Sequence, residues 1–422
     1  MTTTEALPLD PAVQKFISSG PKKLYIGGKW VESKAGKTFK ALNPATGETI
    51  AEVYEAKAED VDAAVTAARE NFDSGAWSKM NPAERAKILW KIGDLIEQHI
   101  DELAALETLN NGKPIKEARS ADLPMTVENF RYWAGWCTKI TGETIPATTP
   151  YAPKAKFFTY TTKEPVGVVA AIIPWNMPLQ MASWKLAPAL ACGCVVILKP
   201  AEQTPLSALR LAELMEEAGL PPGTVQVLPG FGPTAGAALA AHPGVDKISF
   251  TGSTEVGREI LKASAGNLKR VSLELGGKSP HIIFADADLE MASRHAYMGV
   301  FYNQGQICCA GSRIFVERPA YEELAAKMAD RAKKVRLGPG LDPKTQMGPL
   351  VSQEQLDRVQ GYVETGKKEG AKLLAGGERQ AGKGFFMTPA VFTEVKDEMR
   401  IAREEIFGPV FLQRQDDVLE CH

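Results

Sequence analysis

Two adjacent cysteines, Cys308 and Cys309, stand in a small polar setting between residues 303–306 (NQGQ) and residues 310–312 (AGS). A substrate can approach a reactive thiolate in such a setting, although a buried structural cysteine is the commoner case. An ordinary thiol has a pKa of about 8.5 and is only a few per cent ionised at neutral pH. If Cys308 is a nucleophile, we therefore expect a helix terminus or a nearby cation to lower its pKa.

Two more polar side chains, Glu274 and Asn176, come where predicted strands end. Glu274 follows an apolar strand and precedes two glycines. If that carboxylate is partly buried, it suits the role of general base for water. Asn176 lies between two prolines that stiffen it, and its amide group could donate to an oxyanion. Taken singly, either side chain could instead satisfy backbone groups at a turn.

A glycine-containing turn follows Phe250, where Gly252 permits a tight bend and Ser253 can cap the next helix. The free amides of such a helix start could face a pyrophosphate, although the same residues also make an ordinary cap. Lys199 and Glu202 follow another strand. Lysine can donate to ribose hydroxyls, and a carboxylate can accept from them while repelling a 2′-phosphate, which favours NAD over NADP. A surface ion pair is the alternative interpretation.

The elements that must position these residues alternate between strand and helix over residues 166–280. Predicted strands cover residues 166–173, 194–198, 225–228, 247–251 and 271–275, and predicted helices cover residues 204–218, 234–241 and 254–265. The strands are apolar nearly throughout, as buried parallel strands are. The pattern predicts a doubly wound parallel sheet, whose ligands bind beyond the carboxyl ends of its strands.

Other segments predict smaller units around this sheet. Residues 26–30 (IGGKW) indicate a hairpin, and Asn81 with Pro82 marks the start of a long helix. A second strand and helix series begins at Pro280 and predicts another α/β domain. Residues 144–162 predict a protruding hairpin, whose apolar content suits docking on another subunit or packing within the chain.

Composition excludes several classes of protein. The chain has 422 residues, 44% of them hydrophobic, and a formal net charge of −2, which excludes a disordered chain and gives no electrostatic footprint for nucleic acid or acidic lipid. We find no signal peptide and no apolar stretch that could span a membrane. Six cysteines without a disulfide pattern suggest reduced thiols in a cytoplasmic protein, and no metal-ligand motif is present.

Read together, six segments resemble the aldehyde dehydrogenase superfamily, in the order and approximate spacing of that family. The segments are residues 174–178 (PWNMP), 198–202 (LKPAE), 250–257 (FTGSTEVG), 273–278 (LELGGK), 304–313 (QGQICCAGSR) and 404–409 (EEIFGP). The likeness covers residues 22–409. Family members ordinarily continue further, so we expect the chain to be incomplete at its C terminus.

The resemblance implies roles for individual residues. Cys308 would be the nucleophile, Glu274 the general base, and Asn176 with the Cys308 amide the oxyanion hole. A second glycine cluster spans residues 230–236 and contains Gly232. The expected NAD contacts are Ile172, Trp175, Lys199, Glu202, Gly232, Gly252, Ser253, Val256, Leu275, Glu405 and Phe407. The expected aldehyde tunnel is lined by Met177, Met181, Trp184 and Tyr302, whose bulk suggests an apolar or aromatic aldehyde.

The resemblance also implies an α/β fold with a Rossmann-like parallel-sheet cofactor domain, a second α/β catalytic domain and a small β bridging arm. The expected ranges are 1–143 and 163–275 for the NAD-binding domain, 144–162 for the arm and 276–422 for the catalytic domain. We expect a homo-oligomer, dimer or tetramer, if the arm is complete. Two alternatives are an inactive NAD-binding fragment and a hydrolase in which His281 or His295 activates Cys308. A CoA-acylating variant is a further possibility, but Glu274 favours water as the acceptor.

Overall fold

The computed structural model describes residues 9–416, and in this part of the chain strands and helices alternate as the sequence predicts. The strands β1–β16 are Leu24–Ile26, Lys29–Val31, Thr38–Leu42, Thr49–Tyr54, Thr144–Ile145, Thr159–Tyr160, Val168–Ile172, Val195–Lys199, Val225–Val227, Lys247–Thr251, Arg270–Glu274, Pro280–Ile283, Arg313–Glu317, Lys372–Ala375, Ala390–Thr393 and Val410–Asp416. The helices α1–α14 are Pro11–Ser18, Ala58–Ser74, Pro82–Gln98, Ile100–Asn111, Ile115–Glu117, Leu123–Trp136, Pro178–Ala191, Leu206–Glu217, Ala237–Ala241, Thr254–Ser264, Leu289–Phe301, Arg318–Lys333, Gln353–Lys368 and Arg400–Arg403.

The first sheet has seven strands in the order β11-β10-β7-β8-β9-β1-β2. Strands β7 to β11 pair in parallel, and the hairpin β1–β2 adds two antiparallel strands at one edge. Every residue of β7, β8 and β9 is buried, because helices pack on both faces of the sheet. The predicted doubly wound sheet is confirmed, with strand ends shifted by one or two residues.

The second sheet has five strands in the order β12-β13-β16-β15-β14. Its pairs are parallel except for the antiparallel pair of β14 and β15. The second α/β series predicted from Pro280 onward is therefore confirmed. A separate apolar core lies under β12, β13 and β16, and α11 and α12 contribute to it.

The helical region before the first sheet differs from the prediction in one respect. Asn81 caps α3 as predicted, and its side chain accepts a hydrogen bond from the amide of Ala83 at 2.9 Å. The apolar stripe, however, is divided at His99 into two helices, α3 and α4. Periodicity alone could not show this break, because both helices bury apolar residues with the same spacing.

The hairpin predicted over residues 144–162 consists of two short strands, β5 and β6, that pair in antiparallel fashion. Its aromatic side chains are exposed: the exposed fraction is 80% for Phe158, 62% for Tyr160 and 89% for Tyr151. Within residues 9–416, none of the helices combines the length and apolar character that a membrane span needs.

Candidate active site

A cleft of about 670 Å³ opens at the carboxyl ends of β7, β10 and β11. The loops after these strands form one wall, as the doubly wound sheet predicts. The segment 307–309, residues 405–407 and the start of α13 form the opposite wall. Of the predicted site residues, the cleft is lined by Trp175, Asn176, Met177, Met181, Trp184, Gly252, Ser253, Leu275, Tyr302, Cys308, Glu405 and Phe407.

The Cys308 side chain is exposed in this cleft, together with that of Cys309. Partial burial, the neighbouring Cys309 and the carboxylate of Glu405 raise the pKa of the Cys308 thiol, although the backbone amides of Cys308 and Cys309 oppose the shift. The expectation of a cation or helix terminus that lowers this pKa is therefore wrong. The free thiol is accessible but protonated at neutral pH, so a base must take its proton before it can attack.

Asn176 lies on the opposite wall and is only 4% exposed. Its Nδ2 donates to the carbonyl of Gln306 at 2.8 Å, two residues before Cys308. Its own carbonyl accepts from Asn303 Nδ2 at 2.9 Å. These bonds connect the Asn176 segment directly to the loop that carries Cys308. One hydrogen of the Asn176 amide group thus stays available for an oxyanion in the cleft.

Glu274 ends β11 and does not line the cleft. Its side chain is exposed, so the partial burial on which its predicted role was conditional is not observed. Its carbonyl accepts from the amide of Gly252 at 3.1 Å, which fixes the two strand ends side by side. The carboxylate is therefore accessible to water.

Lys185 is a residue that the sequence analysis missed. It is the one charged residue in α7, which is otherwise apolar or polar uncharged, and it is buried. Its Nζ donates to Ser249 Oγ at 3.2 Å. Burial lowers the pKa of Lys185 to about 8, against the opposing effect of the Glu274 carboxylate. A lone charge in an apolar helix was the sequence signal that could have identified it.

The loop around Glu405 fits tightly under the first sheet. The Gly277 amide donates to Glu405 Oε1 at 3.3 Å, and a Cβ on Gly276 would come within 1.9 Å of Glu405 Oε2. The Phe407 ring meets the Trp175 ring edge to face, with a centroid distance of 5.2 Å and an interplanar angle of 83°. Only a glycine at position 276 allows the carboxylate to approach so closely, so this wall is built for a fixed position of Glu405.

Helix α13 contributes two further residues that the sequence analysis missed, Gln355 and Arg358. Gln355 Nε2 donates to the carbonyl of Phe407 at 2.7 Å, and the Arg358 guanidinium donates to the carbonyl of Glu405 at 2.9 Å. Both residues also line the cleft. They hold a segment in which Phe407 has a φ of 60°, a strained value for a bulky residue. They are two of many polar residues in α13, so the sequence gave no signal that distinguished them.

Lys199 and Glu202, the predicted adenosine contacts, lie outside the cleft, whereas Ser253 lines it. Lys199 Nζ donates to Glu202 Oε2 at 3.2 Å, and burial lowers the pKa of this lysine while Glu202 opposes the shift. Ser253 caps α10 by accepting from the amide of Val256 at 3.2 Å. Three further predicted NAD contacts also lie outside the cleft. Ile172 ends β7, Val256 lies in the first turn of α10, and Gly232 begins a π-helical turn.

Neither His281 nor His295 lines the cleft that holds Cys308. Among the described residues, 9–416, no imidazole therefore lies on the wall from which the hydrolase alternative would draw its base. Within residues 9–416, no group of three or more His, Cys, Asp and Glu side chains is arranged to hold a metal ion.

A parallel sheet with a capped helix and a glycine turn on one wall of a cleft, and an accessible thiol on the other, defines a nucleotide-binding enzyme of the cysteine-dependent class. Residues 30–417 match the aldehyde dehydrogenase family. This chain belongs to that family, which confirms the resemblance.

Relatives and solved structures agree with this assignment. DhaS of Bacillus subtilis (strain 168) is 55% identical over 405 residues, which are 95% of this chain and 81% of DhaS. Retinal dehydrogenase 2 of Homo sapiens is 52% identical over 404 residues, or 94% of this chain and 77% of that protein. The NAD+ complex of an aldehyde dehydrogenase from Bacillus cereus superposes with a TM-score of 0.95 at 52% identity, covering 99% of this chain and 83% of that chain. The predicted fold class and the prediction of an NAD-dependent aldehyde dehydrogenase are thus confirmed, and the alternatives are not favoured.

Proposed function

We propose that this enzyme oxidises an apolar or aromatic aldehyde to the carboxylic acid through a covalent intermediate on Cys308. The observation that carries the proposal is the exposed Cys308 thiol in a cleft whose other wall is formed by the strand ends of the parallel sheet. Asn176 supports it, because its amide group lies on that wall with one hydrogen unengaged by Gln306.

In the first step, the Cys308 thiol loses its proton to solvent water, and its sulfur adds to the carbonyl carbon to give a thiohemiacetal. Charge develops on the former carbonyl oxygen, and Asn176 Nδ2 with the Cys308 amide would donate to it. The loss of one such donor typically costs about 10²- to 10³-fold in kcat. NAD, when bound, supplies the acceptor for the hydride that leaves the thiohemiacetal carbon.

In the second step, Glu274 takes a proton from water, and the resulting hydroxide attacks the thioester carbon. The C–S bond breaks, the Cys308 sulfur leaves as thiolate, and the product is a carboxylate. Glu274 is exposed at the end of β11, so water reaches its carboxylate directly. Positioned base catalysis of this kind contributes about 10²- to 10⁴-fold.

The residues present fit an NAD molecule. Gly276 leaves room for the Glu405 carboxylate, which would accept from the hydroxyls of the nicotinamide ribose. Ser253 caps α10 by engaging the amide of Val256, and the amides of Thr254 and Glu255 before it could donate to a pyrophosphate. Lys199 and Glu202 would hold the adenosine ribose, and the pairing of the lysine with a carboxylate rather than a second cation favours NAD over NADP.

A substitution series tests the roles of these residues, with Cys309→Ala as the matched control for Cys308→Ala. We expect Cys308→Ala to lose at least about 10³-fold in turnover, whereas Cys309→Ala stays near the original rate. We expect Glu274→Gln to release about one equivalent of NADH per site and then stall as an acyl-enzyme, detected by intact-protein mass. Unchanged aldehyde oxidation by Cys308→Ala would remove the proposed mechanism.

The apolar lining of the cleft supports the proposed substrate class. Met125, a residue outside the predicted set, adds to the four predicted tunnel residues. Aliphatic, aromatic and retinoid aldehydes, each assayed with NAD and with NADP, would rank the substrates. We expect kcat/KM to rise with the apolar area of the aldehyde, and a preference for small polar aldehydes would overturn this part of the proposal.

We also propose a cytoplasmic homo-oligomer in which the hairpin β5–β6 contacts a second copy. The exposed aromatic side chains of the hairpin support the oligomer, and the unpaired thiols of the described cysteines support the location. Light scattering of Phe158→Ser should show a smaller species than the parent protein.

We propose the predicted division into domains as well, since the change from the first to the second sheet falls between Glu274 and Pro280.

A further inference from the structure

The turn that precedes Cys308 is strained. Residues Tyr302–Gly305 form a kinked turn in which the backbone is not helical, because Asn303 has a φ of 47° and Gln304 a φ of 56°. Both residues are buried and neither is a glycine, so the left-handed conformation is costly for them. Such a conformation persists only where the surroundings fix it. The contacts of this turn therefore determine where Cys308 lies.

Two carboxylates hold the turn from the side of the first helices. Glu117 Oε2 accepts from the Asn303 amide at 3.1 Å, and Asp122 Oδ1 accepts from the Tyr302 hydroxyl at 3.3 Å. Asp122 and Tyr302 both line the cleft. The wall that carries Cys308 is thus fastened to the segment between α5 and α6.

Behind this contact lies a buried ion cluster made of Glu107, Lys113 and Asp122. The Lys113 side chain is 1% exposed, and its Nζ contacts Asp122 Oδ2 and lies 3.5 Å from Glu107 Oε1. Glu107 Oε2 in turn accepts from the amide of Leu179 at 3.2 Å. Leu179 lies in the first turn of α7, three residues after Asn176. One ammonium group therefore joins two carboxylates that fasten opposite walls of the cleft.

We propose that Lys113 is a positioning residue, which sets the placement of Asn176 relative to Cys308 through Glu107 on one wall and through Asp122 and Tyr302 on the other. The inference rests on the proposed roles of Asn176 and Cys308. Burying a cluster of ionisable groups is unfavourable for folding, and apolar residues of similar volume would often hold a fold as well or better. The cluster instead supplies directed contacts to two loops, which apolar packing does not provide.

Lys113→Met, Tyr302→Phe and the double variant test the inference, with Lys87→Met as the control because Lys87 is an exposed lysine that pairs with Glu84 on α3. Steady-state rates are divided by the number of sites that iodoacetamide titrates at Cys308, so that unfolded protein does not count. We expect Lys113→Met and Tyr302→Phe each to lower kcat by about tenfold or more, with Kd for NAD within about twofold of the parent. We expect the double variant to lose little beyond the worse single variant, because both changes break one connection.

Hydrogen exchange supplies a readout that does not depend on catalysis. In Lys113→Met we expect the amides of residues 176–181 and 302–309 to exchange about tenfold faster, with those of α13 unchanged. If Lys113→Met does not fold, Asp122→Asn serves in its place, since the amide keeps an acceptor for Tyr302 but loses the ion pair. The inference would be overturned if these variants had the same kcat per titrated site as the parent protein. It would also be overturned if the losses in the double variant were multiplicative, or if exchange became faster throughout the chain.

The proposed function and this inference fail in different ways. If Cys308→Ala still oxidises aldehydes, the mechanism is wrong, whereas the exchange pattern of Lys113→Met still tests the link between the two walls. If Cys308→Ala is inactive and Lys113→Met has parental kcat per site, the mechanism stands and the positioning role is removed.

Discussion

The proposed role of Cys308 makes two opposing demands on its thiol, which would have to be accessible to an aldehyde and would also have to become anionic. Partial burial, Cys309 and Glu405 raise its pKa above the ordinary value, so the protonated form dominates at neutral pH. We expect iodoacetamide to alkylate Cys308 in the enzyme without NAD at a rate that still rises above pH about 8.5, where a free cysteine thiol is already half ionised.

Glu405→Gln offers a matched change, because it removes one charge that raises the pKa of Cys308 and keeps the shape of the side chain. We expect its alkylation profile to move toward lower pH, as followed by mass spectrometry of the peptide that contains Cys308. A parental profile that levels off below pH 7 would mean that a cation activates this thiol after all.

Gly276 tests how much the position of the Glu405 carboxylate matters. A methyl group at residue 276 would lie 1.9 Å from Glu405 Oε2, so Gly276→Ala must displace that side chain. We expect KM for NAD to rise by about tenfold to a hundredfold, with the fold intact. Gly299→Ala is the control, since its Cβ would meet nothing within 4 Å in the middle of α11. That change should leave KM unaltered and raise the free energy of unfolding by about 0.5 to 1 kcal/mol.

At the scale of elements, two helix caps of similar geometry separate stability from cofactor binding. Asn81 accepts from Ala83 at the start of α3, and Ser253 accepts from Val256 at the start of α10. We expect Asn81→Ala and Ser253→Ala each to lower the free energy of unfolding by about 1 kcal/mol in denaturant titrations. Only Ser253→Ala should also raise KM for NAD several-fold, because only that helix start faces the cleft. Equal effects of both changes on KM for NAD would show that the start of α10 does not bind the cofactor.

The elements were more predictable from the sequence than the contacts between them. The apolar run of β8 and the cap at Asn81 act locally, so composition and spacing identify both. The contact of Gln355 with the carbonyl of Phe407 joins residues 52 positions apart and has no local pattern. The raised pKa of Cys308 likewise depends on Glu405, which is remote in sequence and is brought beside the thiol only by the second sheet.

At the scale of the whole molecule, catalysis requires two sheets with separate cores. Asn176 follows a strand of the first sheet, whereas Cys308 precedes a strand of the second. The two residues meet through few polar bonds, such as that from Asn176 Nδ2 to the Gln306 carbonyl, and through the Lys113 cluster. Under the proposed mechanism, the geometry of the reaction would thus depend on contacts between the sheets more than on either core.

The buried ionisable groups also determine how stability depends on pH. Burial raises the pKa of Glu107 to about 7 and that of Glu117 to about 8, whereas a carboxyl in the unfolded chain has a pKa of about 4.3. Between pH 5 and 7 the folded protein therefore holds protons that the unfolded chain has released. The free energy of unfolding must fall as the pH rises through this range, by up to about 1.4 kcal/mol per pH unit for each group.

The buried lysines act in the opposite sense at higher pH. Burial lowers the pKa of Lys278 to about 7 and that of Lys185 to about 8, while an unfolded lysine keeps its proton up to about pH 10.4. Above pH 8 the unfolded chain thus holds more protons, and the free energy of unfolding rises with pH. We expect a shallow minimum of stability near pH 7 to 8 in urea titrations from pH 5 to 10.

Two variants separate the two limbs of this profile. Glu117→Gln should flatten the decline between pH 5 and 7, because the amide binds no proton in either state. Lys278→Met should flatten the rise above pH 8. It should also raise the free energy of unfolding near neutrality, because the Lys278 amine is buried and has no hydrogen-bond partner within the part of the chain that the structure describes. If the free energy of unfolding of the parent protein rose between pH 5 and 7, these carboxyl groups would not hold their protons in the folded state. The same would follow if the decline over this range persisted unchanged in Glu117→Gln.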